Sequence, residues 1–252
     1  MKKKLSKIIL ERYSRQIILK NIGVLGQQKL INSKILIVGI GGLGSPILDL
    51  LARSGIGKIG IIDHDKIDIS NLHRQTLFNE KDINKFKVKA AKKKIKNINN
   101  KTTIKTYNTK ANEKLLNIIV KNYDILIDGS DNFKTKFLLN KLAIKFKKKL
   151  IVGAISKFDG HIFTFDFSLS KTPCLKCFYQ NEPSDEILNC ESEGILGTTS
   201  NIIGALQANE AIKMILNINK NLNSNILIID LLNLNFRKVL FKKRKNCLCK
   251  KN

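Results

Sequence analysis

A short apolar run, Lys34 to Val38, largely β-branched, gives way to Gly39-Ile40-Gly41-Gly42-Leu43-Gly44 and then to a helical pattern from Ser45 to Ser54. Strand, glycine turn and helix in this order leave a chain few choices of fold. Glycines let the backbone turn tightly and approach an anion, and the helix behind them offers free N–H groups and the positive end of its dipole. Gly55 and Gly57 close the helix, Lys58 to Ile62 reads as a second strand, and Asp63 stands at its C-terminal end, 24 residues after Gly39. The result is a βαβ unit, with Gly39, Gly41, Gly42 and Gly44 around a phosphate and Asp63 placed to accept hydrogen bonds from a ribose. Taken alone, the motif supports a nucleotide site without identifying the nucleotide. Nicotinamide-dependent oxidoreductases use the same arrangement, and a glycine-tightened turn can also hold no ligand.

The alternation continues down the chain. Lys85 to Ile98 reads as an amphipathic helix, Thr103 to Asn108 as a strand, Leu115 to Lys121 as a helix, and Tyr123 to Ile127 as a buried strand ending at Asp128. Asn132 to Phe146 is again helical and Leu150 to Ala154 a strand. Strands and helices at this spacing predict a Rossmann-like α/β fold, a mainly parallel sheet with helices on both faces. After Gly160 the pattern changes to an antiparallel strand, Ile162 to Phe167. A polar stretch from about 168 to 198 without periodicity reads as an inserted functional loop. A helix from Thr199 to Leu216 and two strands, Ile226 to Ile229 and Phe236 to Phe241, precede a basic tail. The expected organisation of the 252 residues is one domain: a helical segment at about 5–33, a nucleotide-binding half at about 34–155, and the insertion.

The formal charge of +26 would suggest nucleic acid as a partner. The charge is carried by 40 lysines against six arginines, scattered along the whole chain, which points to compositional bias rather than to a specific nucleic-acid surface. Arginine is informative here for the same reason. The apolar run at Ile8 to Leu10 stops at Glu11 and Arg12, too short for a signal peptide, and lysines interrupt every candidate membrane span. A soluble, cytoplasmic protein is expected. Five cysteines in such a compartment favour metal ligation or thiol chemistry over disulfides.

Asp63-x-Asp65, followed by Ser70-Asn71-Leu72-x-Arg74-Gln75, sets a carboxylate, an amide and a guanidinium in a polar loop beyond the ribose position. Such a loop suits a triphosphate, because Arg74 can grip phosphate oxygens bidentately where lysine cannot. Lys87 could add a second cation, although composition alone leaves it a solvated lysine among many. Asp131, in Asp128-Gly-Ser-Asp131-Asn132, falls at the same sheet edge, where a carboxylate can hold Mg²⁺ or cap the helix beginning at Asn132. Cys174-x-x-Cys177 and Cys247-x-Cys249 are two close pairs able to build a four-thiolate zinc site that ties the insertion to the C-terminus. Cys190 stands alone between acidic neighbours, Glu191 and Glu193, which would raise rather than lower its pKa.

In sequence order, Arg12-Tyr-Ser-Arg15-Gln16, Gly26-Gln-Gln, the glycine loop, Asp63, Ser70-Asn-Leu-x-Arg74-Gln, Lys87, Asp131-Asn132, Cys174-x-x-Cys177 and Cys190 resemble the ThiF/MoeB/HesA family, related to the ubiquitin-activating enzymes. The likeness runs from about Glu11 to Cys249. It implies an ATP-dependent adenylyltransferase that activates the C-terminal Gly-Gly carboxylate of a small sulfur-carrier protein and releases pyrophosphate. It also implies roles: Asp63 on the ribose; Asn71, Arg74 and Lys87 on the triphosphate; Asp131 on magnesium; and Arg15 reaching the ATP site of the partner in a homodimer. The matching family cysteine makes Cys190 a catalytic thiol, where the bland reading is a silent loop residue. Family members usually end in a C-x-x-C pair, from which Cys247-x-Cys249 departs by one residue.

Tyr13 to Gln16 and Gly26 to Leu30 look closer to ThiF, which implies a ThiS-like carrier of thiamine thiazole synthesis. The alternative is a MoeB-like enzyme acting on a MoaD-like carrier for molybdopterin. An oxidoreductase gives no reason for Arg74, Lys87, Asp131 or the paired cysteines. A degenerate, non-catalytic scaffold gives none for the intact polar motif.

Overall fold

The computed structural model describes residues 5–179, 183, 194–218, 222–247 and 249. Three short helices, α1 (Lys7–Arg12), α2 (Ser14–Ile17) and α3 (Gly23–Asn32), lead into β1 (Lys34–Val38). There follow α4 (Gly44–Arg53), β2 (Lys58–Ile62), α5 (Lys87–Ile98), β3 (Thr103–Tyr107), α6 (Glu113–Ile119), β4 (Ile125–Asp128), α7 (Phe133–Lys145) and β5 (Lys149–Ser156). The remainder comprises β6 (Asp159–Asp166), the one-turn α8 (Leu175–Phe178), α9 (Gly197–Leu216), β7 (Asn225–Asp230) and β8 (Asn235–Leu240).

The eight strands form one sheet in the order β3-β2-β1-β4-β5-β6-β7-β8. The first five are parallel and the last three add antiparallel, as the sequence predicts. Alternation within β1 shows how the sheet is covered. Ile35 and Ile37 pack into one core with Leu48, Leu51, Val88 and Ala208, beneath α4, α5 and α9. Leu36 and Val38 pack into the other with Leu116, Phe137 and Leu142, beneath α6 and α7. A strand buried on both faces explains the uninterrupted apolar run at its position in sequence. Among the described residues no helix is long and apolar enough to cross a membrane.

The strand order reverses between β1 and β4, because the chain proceeds outward to β2 and β3 and then returns to the other side of β1. The carboxyl ends of strands flanking such a reversal splay apart and leave a crevice. There Gly39 takes a positive φ of 90°, and a Cβ on it would lie 2.6 Å from the Gly129 carbonyl oxygen. Two loops at the mouth of the crevice therefore meet backbone to backbone, an approach that only glycine permits.

Candidate functional site

The crevice opens into a cleft of about 230 Å³ lined by Gly39, Gly41 and Gly42 from the glycine loop and by Asp63 and Asp65 from the end of β2. Asn71, Arg74 and Gln75 line it from the following loop, Lys87 from the start of α5, and Asp131, Asn132 and Lys136 from beyond β4. The residues read from sequence as a nucleotide site thus come together from five separate stretches of chain. Gly44 does not line the cleft; it begins α4 and packs against the Gly39 carbonyl. Ser70 is also outside the lining: its amide donates to Asp68 Oδ1 at 2.8 Å and its carbonyl accepts from Arg74.

Asp63 organises the floor. Its Oδ2 accepts from the Ile40 amide at 2.7 Å and its Oδ1 from the Asp65 amide at 2.8 Å, so one carboxylate fixes both the glycine loop and the turn after β2. Burial pushes its pKa above the ordinary aspartate value, against the pull of Lys87 and the two amides. Lys87 is only 6% exposed, not the solvated lysine that composition suggests, and its Nζ lies 2.8 Å from Asp65 Oδ2. Asp65, an unassigned member of the motif in sequence, thus aims the cation into the cleft. Arg74 donates from Nη1 to the Ser70 carbonyl and to His73 Nε2, both at 2.8 Å. Its Nε and Nη2 take no partner among the described residues, which leaves a side of the guanidinium for a ligand. Asn71 closes a capping box with Asp68, which locks the loop that carries Arg74.

At the other wall the helix cap is Asn132, whose Oδ1 accepts from the Thr135 amide at 2.9 Å. Asp131 therefore does not cap α7, as its sequence position allowed. Among the described residues it takes one hydrogen bond, from Asn132 Nδ2 to Oδ1 at 3.1 Å, and none to Oδ2, which leaves that oxygen able to meet a hard cation. Lys136 was not singled out in sequence. It is 1% exposed and donates to Asp128 Oδ2, Ser130 O and Gly153 O, each at 2.7 Å. Its signal is positional: one turn into α7, it shares the buried side with Phe133, Phe137 and Asn140.

Cys174, Cys177, Cys247 and Cys249 converge so that one sulfur from each lies within 4.8 Å of the others. Separations of 3.9 Å for Cys174 to Cys177 and 3.5 Å for both Cys174 to Cys247 and Cys177 to Cys249 bracket the edge of about 3.8 Å that a tetrahedron of thiolates around zinc requires. The shortened Cys247-x-Cys249 pair therefore reaches the geometry. An amide from Arg244 donates to Cys177 Sγ at 3.4 Å, the kind of outer contact that steadies a metal-bound thiolate. Burial, with the neighbouring thiols, pushes Cys174 up to about 12, so that thiol gives up its proton near neutral pH only when a cation compensates. Cys190 lies outside the described residues. Arg15 is on α2, exposed, and lines no part of its own chain's cleft.

A doubly wound sheet with a glycine loop, buried acids and cations at its reversal point defines a nucleotide-binding α/β protein built for phosphate chemistry. Comparison with known proteins narrows this: the chain matches the ThiF family over residues 13–251 and belongs to it. It is an adenylyltransferase, as its relatives are. A sulfur carrier protein adenylyltransferase of Thermus thermophilus is 34% identical over 242 residues, which cover 94% of this chain and 89% of that relative. A probable molybdopterin-synthase adenylyltransferase of Gracilaria tenuistipitata var. liui is 39% identical over 234 residues, 93% of this chain and 65% of the relative. The adenylyltransferase and sulfurtransferase MOCS3 of Culex quinquefasciatus is 39% identical over 228 residues, and the match spans only 52% of that longer protein. Among solved structures, E. coli MccB with ATP superposes with a TM-score of 0.83 at 27% identity, covering 96% of this chain and 75% of MccB.

Proposed function

We propose that the protein uses ATP to adenylylate the C-terminal carboxylate of a small sulfur-carrier protein, a ThiS-like carrier of thiamine thiazole synthesis. The observation that carries this is the pairing of two cations, Arg74 and Lys87, with Asp63 and Asp131 around one cleft at the sheet reversal. Asp63 receives the ribose, the glycine loop and Asn71 lie along the phosphates, and Arg74 and Lys87 neutralise charge that builds up on them. A carboxylate oxygen of the carrier attacks the α-phosphorus. The bond from that phosphorus to the bridging oxygen breaks, and pyrophosphate leaves with the electron pair. Because the nucleophile is already ionised, no general base is needed, and fixed positive groups supply most of the stabilisation. Mg²⁺, held by Asp131, would screen the departing pyrophosphate.

The four cysteines are assigned to a structural zinc, Arg15 to the cleft of a second copy, and Cys190 to covalent handling of the activated carrier. A second reading, a MoaD-like carrier for molybdopterin, is favoured by the 39% identical molybdopterin-synthase relative.

ATP–pyrophosphate exchange with purified protein, Mg²⁺ and each carrier in turn separates the two readings. Exchange with one carrier is expected, falling on the order of a hundredfold in Arg74→Ala, as when a transition-state charge stabiliser is removed. No exchange with either carrier from folded protein would sink carrier adenylylation.

A further inference from the structure

Arg74 sits on a connection between two elements, and something must hold that connection in place. Its internal bonds are local: the amides of Arg74 and Gln75 both donate to the Asn71 carbonyl, at 3.1 and 2.9 Å. Leu77 and Phe78 anchor it in the core beneath. The polar tie from outside comes from α9. Asn201, one turn into that helix, donates from Nδ2 to the Arg74 carbonyl at 3.2 Å and to the Gly197 carbonyl at 2.7 Å. Its Oδ1 accepts from the Thr76 hydroxyl at 3.1 Å. Packing on either side follows the same line. A Cβ on Gly197 would collide with the His73 carbonyl, and one on Gly42 would lie 3.2 Å from Ser200 Cβ. The start of α9 is thus wedged between the glycine loop and the Arg74 loop.

We infer that Asn201 is a positioning residue for nucleotide binding, acting through Arg74. It rests on the reading of Arg74 as a triphosphate ligand. An arginine on an unpinned loop loses conformational freedom each time it closes on a phosphate, and a loop fixed beforehand spares that loss. Gly197, the first residue of α9, touches both Asn201 and the His73 carbonyl, so the same contacts make the placement of Arg74 depend on how α9 begins.

A double-mutant cycle on ATP affinity tests it, by titration calorimetry of the full chain with Mg²⁺. Asn201→Ala is expected to weaken ATP roughly three- to tenfold, the loss that one or two net hydrogen bonds represent. Arg74→Ala should weaken it more, and the double variant should be no weaker than Arg74→Ala within about twofold, because the two residues act as one unit. Thr76→Val, at an exposed site, removes one bond and should give a smaller loss of the same sign even if Asn201→Ala fails to fold. A merely structural asparagine would give additive losses, and that result overturns the inference. So does unchanged affinity in Asn201→Ala and Thr76→Val beside a weakened Arg74→Ala. If Arg74→Ala binds ATP as tightly as the parent, the reading of the cleft itself falls and the role of Asn201 with it.

Discussion

Lys136 differs from most of the 40 lysines in having no access to water: all three of its N–H groups are spent, on Asp128 and two backbone carbonyls. The loop it clamps is the one that carries Asp131. Removing the cation while keeping the carboxylate would leave a buried, unpaired charge, which typically costs about 3–5 kcal/mol. Lys136→Met should lose about that much unfolding free energy in denaturant titrations at pH 8, and Lys136→Met with Asp128→Asn should lose less. The pH dependence has a definite sign. Burial already pushes Asp128 above the ordinary carboxylate value and Lys136 holds it back. Without the lysine the folded-state value rises further, whereas the unfolded one stays near about 3.9. The folded variant then binds a proton more readily than its unfolded chain, so its stability rises as pH falls through the folded value toward the unfolded one. The deficit against the parent should therefore shrink between pH 8 and pH 5, and a constant deficit would exclude Asp128 as its source. Legibility at this scale depended on rarity. Asp63 and Arg74 are scarce residue types at fixed offsets from a strand and can be picked out, whereas Lys87 and Lys136 are the commonest type in the chain. For those two, burial carries the information, and burial is a tertiary property.

Elements were more legible than their ends. β1 and β2 read to the residue, because a strand sandwiched between two helix layers must be apolar throughout and stops where the loop turns polar. Helix starts slipped where a side chain or a carbonyl decides them. The sequence pattern of α5 begins at Lys85, but Phe86 is extended, the helix starts at Lys87, and the Lys87 amide donates to the Asp65 carbonyl at 3.0 Å. The β5–β6 hairpin is longer than the sequence pattern of Leu150 to Ala154 and Ile162 to Phe167, because Ser156, Asp159 and Gly160 look like a turn, while the turn is confined to Lys157 and Phe158, with Lys157 at a positive φ of 51°. The cysteine cluster acts at the same scale. It joins α8 to the tail after β8, and Phe178 of α8 lies edge-on to Phe241 of the tail with centroids 5.6 Å apart, so the cysteine cluster and aromatic packing meet at the same junction. Cys249→Ser should lower bound zinc from about one ion per chain toward none by elemental analysis, since structural sites need all four ligands. Limited proteolysis should then cut the tail beyond β8, leaving the sheet intact. A variant that keeps zinc and a protected tail would show that three thiolates suffice.

Arg15 raises a question only the assembly can answer. Gln16, next to it on α2, donates to the Ser54 carbonyl at 3.0 Å, at the far end of α4 from the glycine loop. Ten residues of helix separate those ends, roughly 15 Å, more than an arginine side chain spans. Arg15 therefore cannot reach its own cleft, and any phosphate role it has belongs to another copy. Nearby, Ile18, Leu19, Val24 and Leu25 are 43–70% exposed, apolar surface that a second copy could cover. Equilibrium sedimentation should report a dimer. Arg15→Ala and Arg74→Ala, each inactive alone in pyrophosphate exchange, should complement when mixed and allowed to exchange subunits. In a mixed dimer, the Arg15→Ala chain keeps its own Arg74 and receives Arg15 from its partner, which makes one of the two clefts whole. Half the dimers in an equimolar mixture are mixed, so about a quarter of parental activity should return if the two-fold interface places Arg15 in the neighbouring cleft. No recovery, from a mixture shown to exchange subunits, would mean that Arg15 does not act across the dimer and that the cleft relies on its own Arg74 and Lys87.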